Sequence, residues 1–320
     1  VINTIIIDGL AFALPMFIMA VGGIFCEKSG ITNLALEGLQ GFGAFVGSFV
    51  AVSLATGSLG GTRAPYYISF LVAFIGGMLY SLIHVLLCIR FKANQIISGV
   101  VVNIMAVALT SFLTKRINEA IFMQKSDKFV LETSLRFTVP GLSRIPVLGA
   151  VFTKVYPFEV LIVIIAAITW YVLYKTPYGM HLRACGDNPH SADAAGIDVD
   201  RVRIIAIMLS GGLAAIGGMS YAYSISASFS PSIYLGYGYL AIAALIFGNW
   251  SILPTLSACL LFGFARSAGQ VIIQKLGMPS SYNDLVRILP YLFTLILLVF
   301  FSKKTVSPRA LGEIYDKGKR

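Results

Sequence analysis

PFEVLIVIIAAITWYVLY, residues 157–174, decides the fold class. It is an almost unbroken apolar run with a single charged residue, Glu159. A helix rising 1.5 Å per residue needs about 20 such residues to cross roughly 30 Å of hydrocarbon. Working outward, comparable runs recur at 4–25, 33–55, 66–89, 95–114, 203–226, 235–248, 252–274 and 286–302. The expectation is an all-α protein: a polytopic transmembrane helical bundle of about 8–10 spans, forming one domain over residues 1–320. The 235–248 run is too short to cross alone, so it is either a tilted half-helix or part of its neighbour. The 33–55 run opens on Asn33 and Glu37 and is punctuated by Gly38, Gly41, Gly43 and Gly47, the pattern of a broken or closely packed helix.

Composition agrees. Of 320 residues, 57% are hydrophobic and 12% charged, with a mean hydropathy of +0.84. Soluble domains carry about 25% charged residues. The net charge of +10 does not indicate a nucleic-acid partner, because the basic residues lie between and after the apolar runs, where cytoplasmic loops collect Lys and Arg. Cys26, Cys88, Cys185 and Cys259 are far apart, with no Cys-x-x-Cys spacing, and the three histidines are scattered. Neither a metal site nor a disulfide framework is expected. The first apolar run has neither a basic leader nor a small-residue cleavage site, and is read as a membrane segment.

Loop charge sets the orientation. The tail at 303–320 holds Lys303, Lys304, Arg309, Lys317, Lys319 and Arg320 against Glu313 and Asp316, which places it in the cytoplasm. Counting back puts 175–203 on the same side and 115–156 outside. That last stretch is long enough to hold a small structure of its own.

Four polar clusters carry the chemistry. Glu27 and Lys28 read as the water boundary of the first span. Asn33 and Glu37, four apart, share a face if that segment is helical, and Glu37 takes a structural or solute-facing buried role. Asn94, Ser98 and Asn103 offer hydrogen bonds either to a polar interior or to neighbouring helices as packing glue. Asn33, Glu37, Asn94, Ser98 and Asn103 are the candidates for a polar substrate pathway. In the third cluster, Asn188-Pro189 starts a short Ala-rich helix over 189–195 and Gly196 stops it. A compact capped helix between two spans suits docking into a groove on a soluble partner. In the fourth, Gly236, Tyr237, Gly238, Tyr239, Gly248, Asn249, Trp250 and Pro254 fit a helix break with an interfacial aromatic anchor, for packing or for gating.

At these clusters the chain resembles the membrane permease subunits of ATP-binding-cassette importers, in the branch serving ribose-type sugars, branched-chain amino acids and nucleosides. It is most similar to the nucleoside, guanosine-type members. Gly22, Gly23, Glu27, Ser29, Gly30, Asn33, Glu37 and Gly38 match the family's first motif, with Lys28 where Arg is usual. Arg183, Ala184, Gly186, Asn188, Pro189, Ala192, Gly196 and Ile197 match its cytoplasmic coupling motif, with His190 and Ser191 where small residues are more usual. Phe247, Gly248, Asn249, Trp250, Phe262 and Gly263 are also similar to the family. The resemblance implies that Arg183, Gly186, Asn188, Pro189, Asp193, Ala194, Ala195 and Gly196 contact an ATPase. It also implies a second, related permease and an extracytoplasmic substrate-binding lipoprotein. No Gly-x-x-x-x-Gly-Lys-Ser/Thr loop is present to cradle phosphates. ATP is therefore expected to be used by a partner subunit, with no cofactor on this chain. The substrate rests on the resemblance alone: nucleosides, or else ribose-type sugars or branched-chain amino acids. An ion-coupled secondary transporter is the rival class. An intramembrane enzyme is disfavoured, since His-Glu-x-x-His and Gly-x-Ser-x-Gly motifs are missing.

Overall fold

The computed structural model describes residues 2–57, 59–131, 136–146, 148–277, 279, 286, 288–292, 296 and 306–318. Among them, seven helices are long and apolar enough to cross a membrane. They are α1 (Ile2–Lys28), α2 (Leu36–Ala55), α3 (Ala64–Val85, continued by a π-helical turn at Leu86–Arg90), α4 (Gln95–Ala120), α5 (Pro157–Lys175), α8 (Val199–Tyr221, continued by a π-helical turn at Ala222–Ser226) and α10 (Ile252–Lys275). Two short helices, α6 (Pro177–Asp187) and α7 (Pro189–Ala194), connect α5 to α8, and the half-length α9 (Tyr237–Phe247) precedes α10. The 286–302 run lies largely outside the described residues. The observed set is therefore seven long helices plus α9.

Helices α1 and α8 form the centre. From Ala11 to Glu27 every residue of α1 is buried, and so is every residue of α8 from Ser210 to Tyr221. Helices apolar on all sides end up inside a bundle. Lipid tails supply no hydrophobic drive between helices, so close van der Waals contact must hold them, and small residues allow it. Where α3 crosses α8, a Cβ on Gly77 would come within 2.4 Å of the Gly211 carbonyl oxygen. Gly43 of α2 meets Ala215 of α8 in the same way, at 2.1 Å. The outer helices turn apolar side chains outward instead: Leu71, Ile75 and Leu79 on α3, Ile97 and Ile104 on α4, Val163 and Ile168 on α5. These are lipid-facing stripes.

The two ends differ. At one, the end of α1, the α3–α4 turn, α6, α7 and residues 306–318 gather. At the other, part of the 115–156 stretch folds over the bundle: strand β1 (Phe129–Val130) pairs antiparallel with β2 (Ser228–Phe229), Phe129 opposite Phe229.

A buried re-entrant segment and an exposed capped helix

Between Lys28 and Leu36 the chain is not helical, yet Ser29, Gly30, Ile31, Asn33 and Ala35 are all buried. Irregular backbone inside a membrane protein is tolerated only if other groups satisfy it. Here the partners come from across the bundle. The Thr32 amide donates to Gln95 Oε1 at 2.7 Å, Arg203 Nε to the Ser29 carbonyl at 3.0 Å, and Asn103 Nδ2 to the Leu34 carbonyl at 2.8 Å. Asn33 Nδ2 donates to Ser210 Oγ at 2.7 Å. Ser210 stands about 16 Å along α8 from its start, at 1.5 Å per residue. The segment thus re-enters the bundle, and α2 begins deep inside it.

There α2 meets the start of α9. A helix leaves its first N–H groups without intrahelical partners and carries a positive dipole end. The Glu37 carboxylate accepts from the Gly236 amide at 2.8 Å and the Gly238 amide at 2.6 Å, closing the α9 N-terminus. Glycine is required at 238: a Cβ there would sit 2.5 Å from the Glu37 nitrogen. Asn103 ties both helices, accepting from the Gly38 amide at 2.7 Å and donating to Tyr239 Oη at 2.8 Å. Ser98 joins through His84, whose Nδ1 lies 2.8 Å from Ser98 Oγ and whose Nε2 lies 3.4 Å from the Thr32 carbonyl.

The structure therefore brings together Asn33, Glu37, Asn103 and, through His84, Ser98. It leaves Asn94 out. That side chain is exposed and caps α4, accepting from the Ile96 and Ile97 amides. Ser210, Gln95 and His84, none of them among the five candidates, belong to the cluster, and so do the Gly236 and Gly238 amides of the fourth polar cluster. Ser210 hides in a run of small residues, whereas Gln95 could have been found beside Asn94. A cavity of about 500 Å³ lies elsewhere, lined by aromatic and aliphatic side chains including Phe25, Tyr66, Phe70, Phe158 and Leu213. None of the five polar candidates faces it.

Two readings of this end need correction. Glu27 is not at the water boundary: it is 3% exposed and accepts from Trp250 Nε1 at 2.6 Å, because α6 and the α9–α10 turn enclose the end of α1. Trp250 is likewise buried, at 5% exposure, in a turn where both Asn249 and Trp250 have positive φ.

The 175–203 segment is built on local rules. Thr176 caps α6, with Pro177 at its first position. Asn188 ends α6, its amide donating to the Ala184 carbonyl at 2.9 Å, and starts α7, its Oδ1 accepting from the Ser191 amide at 3.0 Å. The helix closes at Ala194, one residue before the expected end, and Gly196 turns the chain with φ +86°. Inward, α6 seats Gly186 against the Lys28 carbonyl, which a Cβ would approach to 2.2 Å. Arg183 donates to the Leu173 carbonyl, its guanidinium over Tyr174. Burial on that face pushes the Cys185 thiol up to about 11, the Arg203 charge partly opposing it. Outward, α7 buries Pro189 and Ala192 and exposes His190, Ser191, Ala194 and Ala195, with Asp193 between. Among the described residues no cluster of His, Cys, Asp or Glu could hold a metal ion.

A polytopic bundle with a re-entrant segment and an exposed helical connection is compatible with transport, and similarity to known proteins gives the class. Residues 5–300 match the family described as branched-chain amino acid transport system / permease component, and the chain belongs to that family of multi-pass membrane permeases. It is 38% identical to the guanosine ABC transporter permease protein NupQ of Bacillus subtilis, covering 100% of this chain and 98% of that one. Against the nucleoside ABC transporter permease protein NupC of Lactococcus lactis subsp. cremoris it is 37% identical, covering 100% and 99%. A second Bacillus subtilis protein, guanosine ABC transporter permease protein NupP, is 25% identical over 95% of this chain and 82% of its own. These relatives are transport components of multi-subunit ABC systems, and the chain is such a component too.

Proposed function

We propose that this chain forms half of the membrane pathway of an ATP-driven nucleoside importer. The observation that carries the reading is end-to-end similarity, at 38% and 37% identity, to permeases of guanosine and nucleoside transporters. Two distinct Bacillus subtilis guanosine permeases resemble it, which supports a second, different permease beside this one. The five polar candidates lie away from the apolar cavity of about 500 Å³ in the single chain, which fits a pathway between two chains. Asn33 is the residue we assign to the solute, since its Oδ1 is buried without a hydrogen-bond partner. Glu37, Ser98 and Asn103 hold the walls of that path, and Asn94 stays outside it.

The outward face of α7 docks into a cytoplasmic ATPase, which binds and hydrolyses the ATP. Arg183, Gly186, Asn188 and Pro189 shape this coupling segment, and Ala194, Ala195 and Gly196 present its surface. The tail shares the cytoplasmic side. The opposite end, with β1 and β2, receives an extracytoplasmic substrate-binding lipoprotein.

Uptake of labelled guanosine, in cells with and without the chain and with excess ribose as competitor, tests the reading. Chain-dependent, ATP-dependent uptake indifferent to ribose is expected. Loss of ribose or leucine uptake in its place overturns the substrate. In the same assay Ala194→Glu, a charge on the exposed face of α7, should detach the ATPase and stop uptake while leaving the chain inserted.

A further inference from the structure

Residues 306–318 are irregular, and a chain end of this kind is ordinarily loose unless something ties it down. Here it is tied at every few residues, each time to a different element of the same end of the bundle. The Val306 amide donates to Asn249 Oδ1 at 2.8 Å, holding the α9–α10 turn. The Ala310 amide donates to the Gly186 carbonyl of α6 at 2.8 Å, and the Gly312 amide to the Gly30 carbonyl of the re-entrant segment at 3.0 Å. Gln95 Nε2, at the start of α4, donates to the Glu313 carbonyl at 3.3 Å, and Lys92 of the α3–α4 turn pairs with Asp316 at 2.5 Å. Lys317 pairs with Asp193 of α7 at 3.4 Å.

Tyr315 is the central contact. Buried at 8% exposure, its ring lies 5.3 Å from the His190 ring of α7 and beneath the Arg203 guanidinium at 5.8 Å. Arg203 in turn holds the Ser29 carbonyl. From the exposed helix to the buried segment there are thus two short routes. One runs from Asp193 through Lys317 and Gly312 to Gly30. The other runs from His190 through Tyr315 and Arg203 to Ser29. Both end a few residues before Asn33 and Glu37.

We propose that residues 306–318 are a strap that makes α7 and segment 29–35 move as one body, so that displacement of α7 reaches the buried polar cluster. The proposal rests on the ATPase-docking reading of α7. Single exposed ion pairs contribute little on their own. The strap therefore depends on the Tyr315 ring and the two backbone bonds, and Lys92–Asp316 and Lys317–Asp193 set its register.

The test uses the complete transporter reconstituted in vesicles, with solute moved per ATP hydrolysed as the readout. Tyr315→Ala combined with Lys317→Ala should leave the complex assembled and hydrolysing ATP. The solute moved per ATP should fall at least about fivefold, the low end of ordinary coupling between sites. Tyr315→Phe, which keeps the ring, should retain the wild-type ratio. An unchanged ratio in the double variant overturns the strap. Ala194→Glu separates this failure from that of the underlying reading. If Ala194→Glu stops transport while the double variant is normal, the strap alone is wrong. If Ala194→Glu also assembles and transports normally, α7 is not the docking element and both are wrong.

Discussion

Segment 29–35 and segment 188–196 look alike on paper. Each holds an asparagine, small residues, a glycine and a helix start, and each interrupts apolar spans. In the structure they are opposites. Around 188–196 the backbone is satisfied from within: Asn188 caps, Pro189 starts, and Gly196 ends a helix whose outer face meets solvent. Around 29–35 the Ser29, Gly30 and Ile31 amides bond back to the end of α1, but the Thr32 amide and the Ser29, Gly30 and Leu34 carbonyls are satisfied from Gln95, Arg203, the tail and Asn103, all distant in sequence. A turn that supplies its own hydrogen bonds can be exposed and pushed on as a unit. A turn that borrows them is a junction, and motion of any lender reaches it.

The sharpest way to break this comparison is to place the same side chain in both. Gly30 and Gly196 each have a left-handed φ, +93° and +86°. A Cβ on Gly30 would lie 2.6 Å from Arg203 Nη2 and 3.2 Å from the Ala310 carbonyl, whereas Gly196 has nothing within 4 Å. Gly30→Ala should destabilise the chain by about 4 kcal/mol, the left-handed penalty plus roughly 2 kcal/mol of overpacking. Gly196→Ala should cost about 1–2 kcal/mol, the left-handed penalty alone. Thermal melting of the detergent-solubilised protein measures both, and equal losses would erase the distinction drawn here.

Next in size is Glu37→Ala, which strands the Gly236 and Gly238 amides inside the bundle. Each buried donor left unpaired costs about 1–3 kcal/mol. The melting temperature should fall clearly, and Glu37→Gln, which can still accept from one of them, should fall less. No change in either would mean that water or lipid headgroups reach the α9 N-terminus.

Asn188→Ala removes only a local cap, worth about 1 kcal/mol. Its melting shift should be small while ATPase association weakens, the reverse of the Glu37 pattern. A large melting shift with normal association would make 188–196 a structural junction too.

The smallest effect is chemical. A thiol held near 11 is about one part in a thousand thiolate at pH 8, and the thiolate is the species that alkylates. Labelling of Cys185, buried as well as protonated, should therefore be slow at neutral pH and rise with pH. Rapid labelling at neutral pH would show α6 lifted off α1.

Much of this was legible in advance. Apolar run length alone predicts spans such as 157–174, because a helix in hydrocarbon must satisfy its own backbone along its whole length. The Asn188, Pro189 and Gly196 signals are readable for a similar reason: a cap bonds residues two or three positions away. The glycine-punctuated 33–55 run predicts a broken or closely packed helix, and both apply, with the break falling before Leu36 and tight glycine contacts after it.

Sequence by itself determined that the chain is a multi-pass helical membrane protein and where its exposed capped helix begins and ends, since both depend on neighbours along the chain. Only the tertiary structure decided that Glu27 is buried against Trp250, that Asn103 joins two helices, that Glu37 closes the start of α9, and that the basic tail is laced across α6, α7 and the re-entrant segment. Those contacts join residues separated by tens to hundreds of positions. Their partners are set by which helices pack side by side, and no local pattern of residues encodes that.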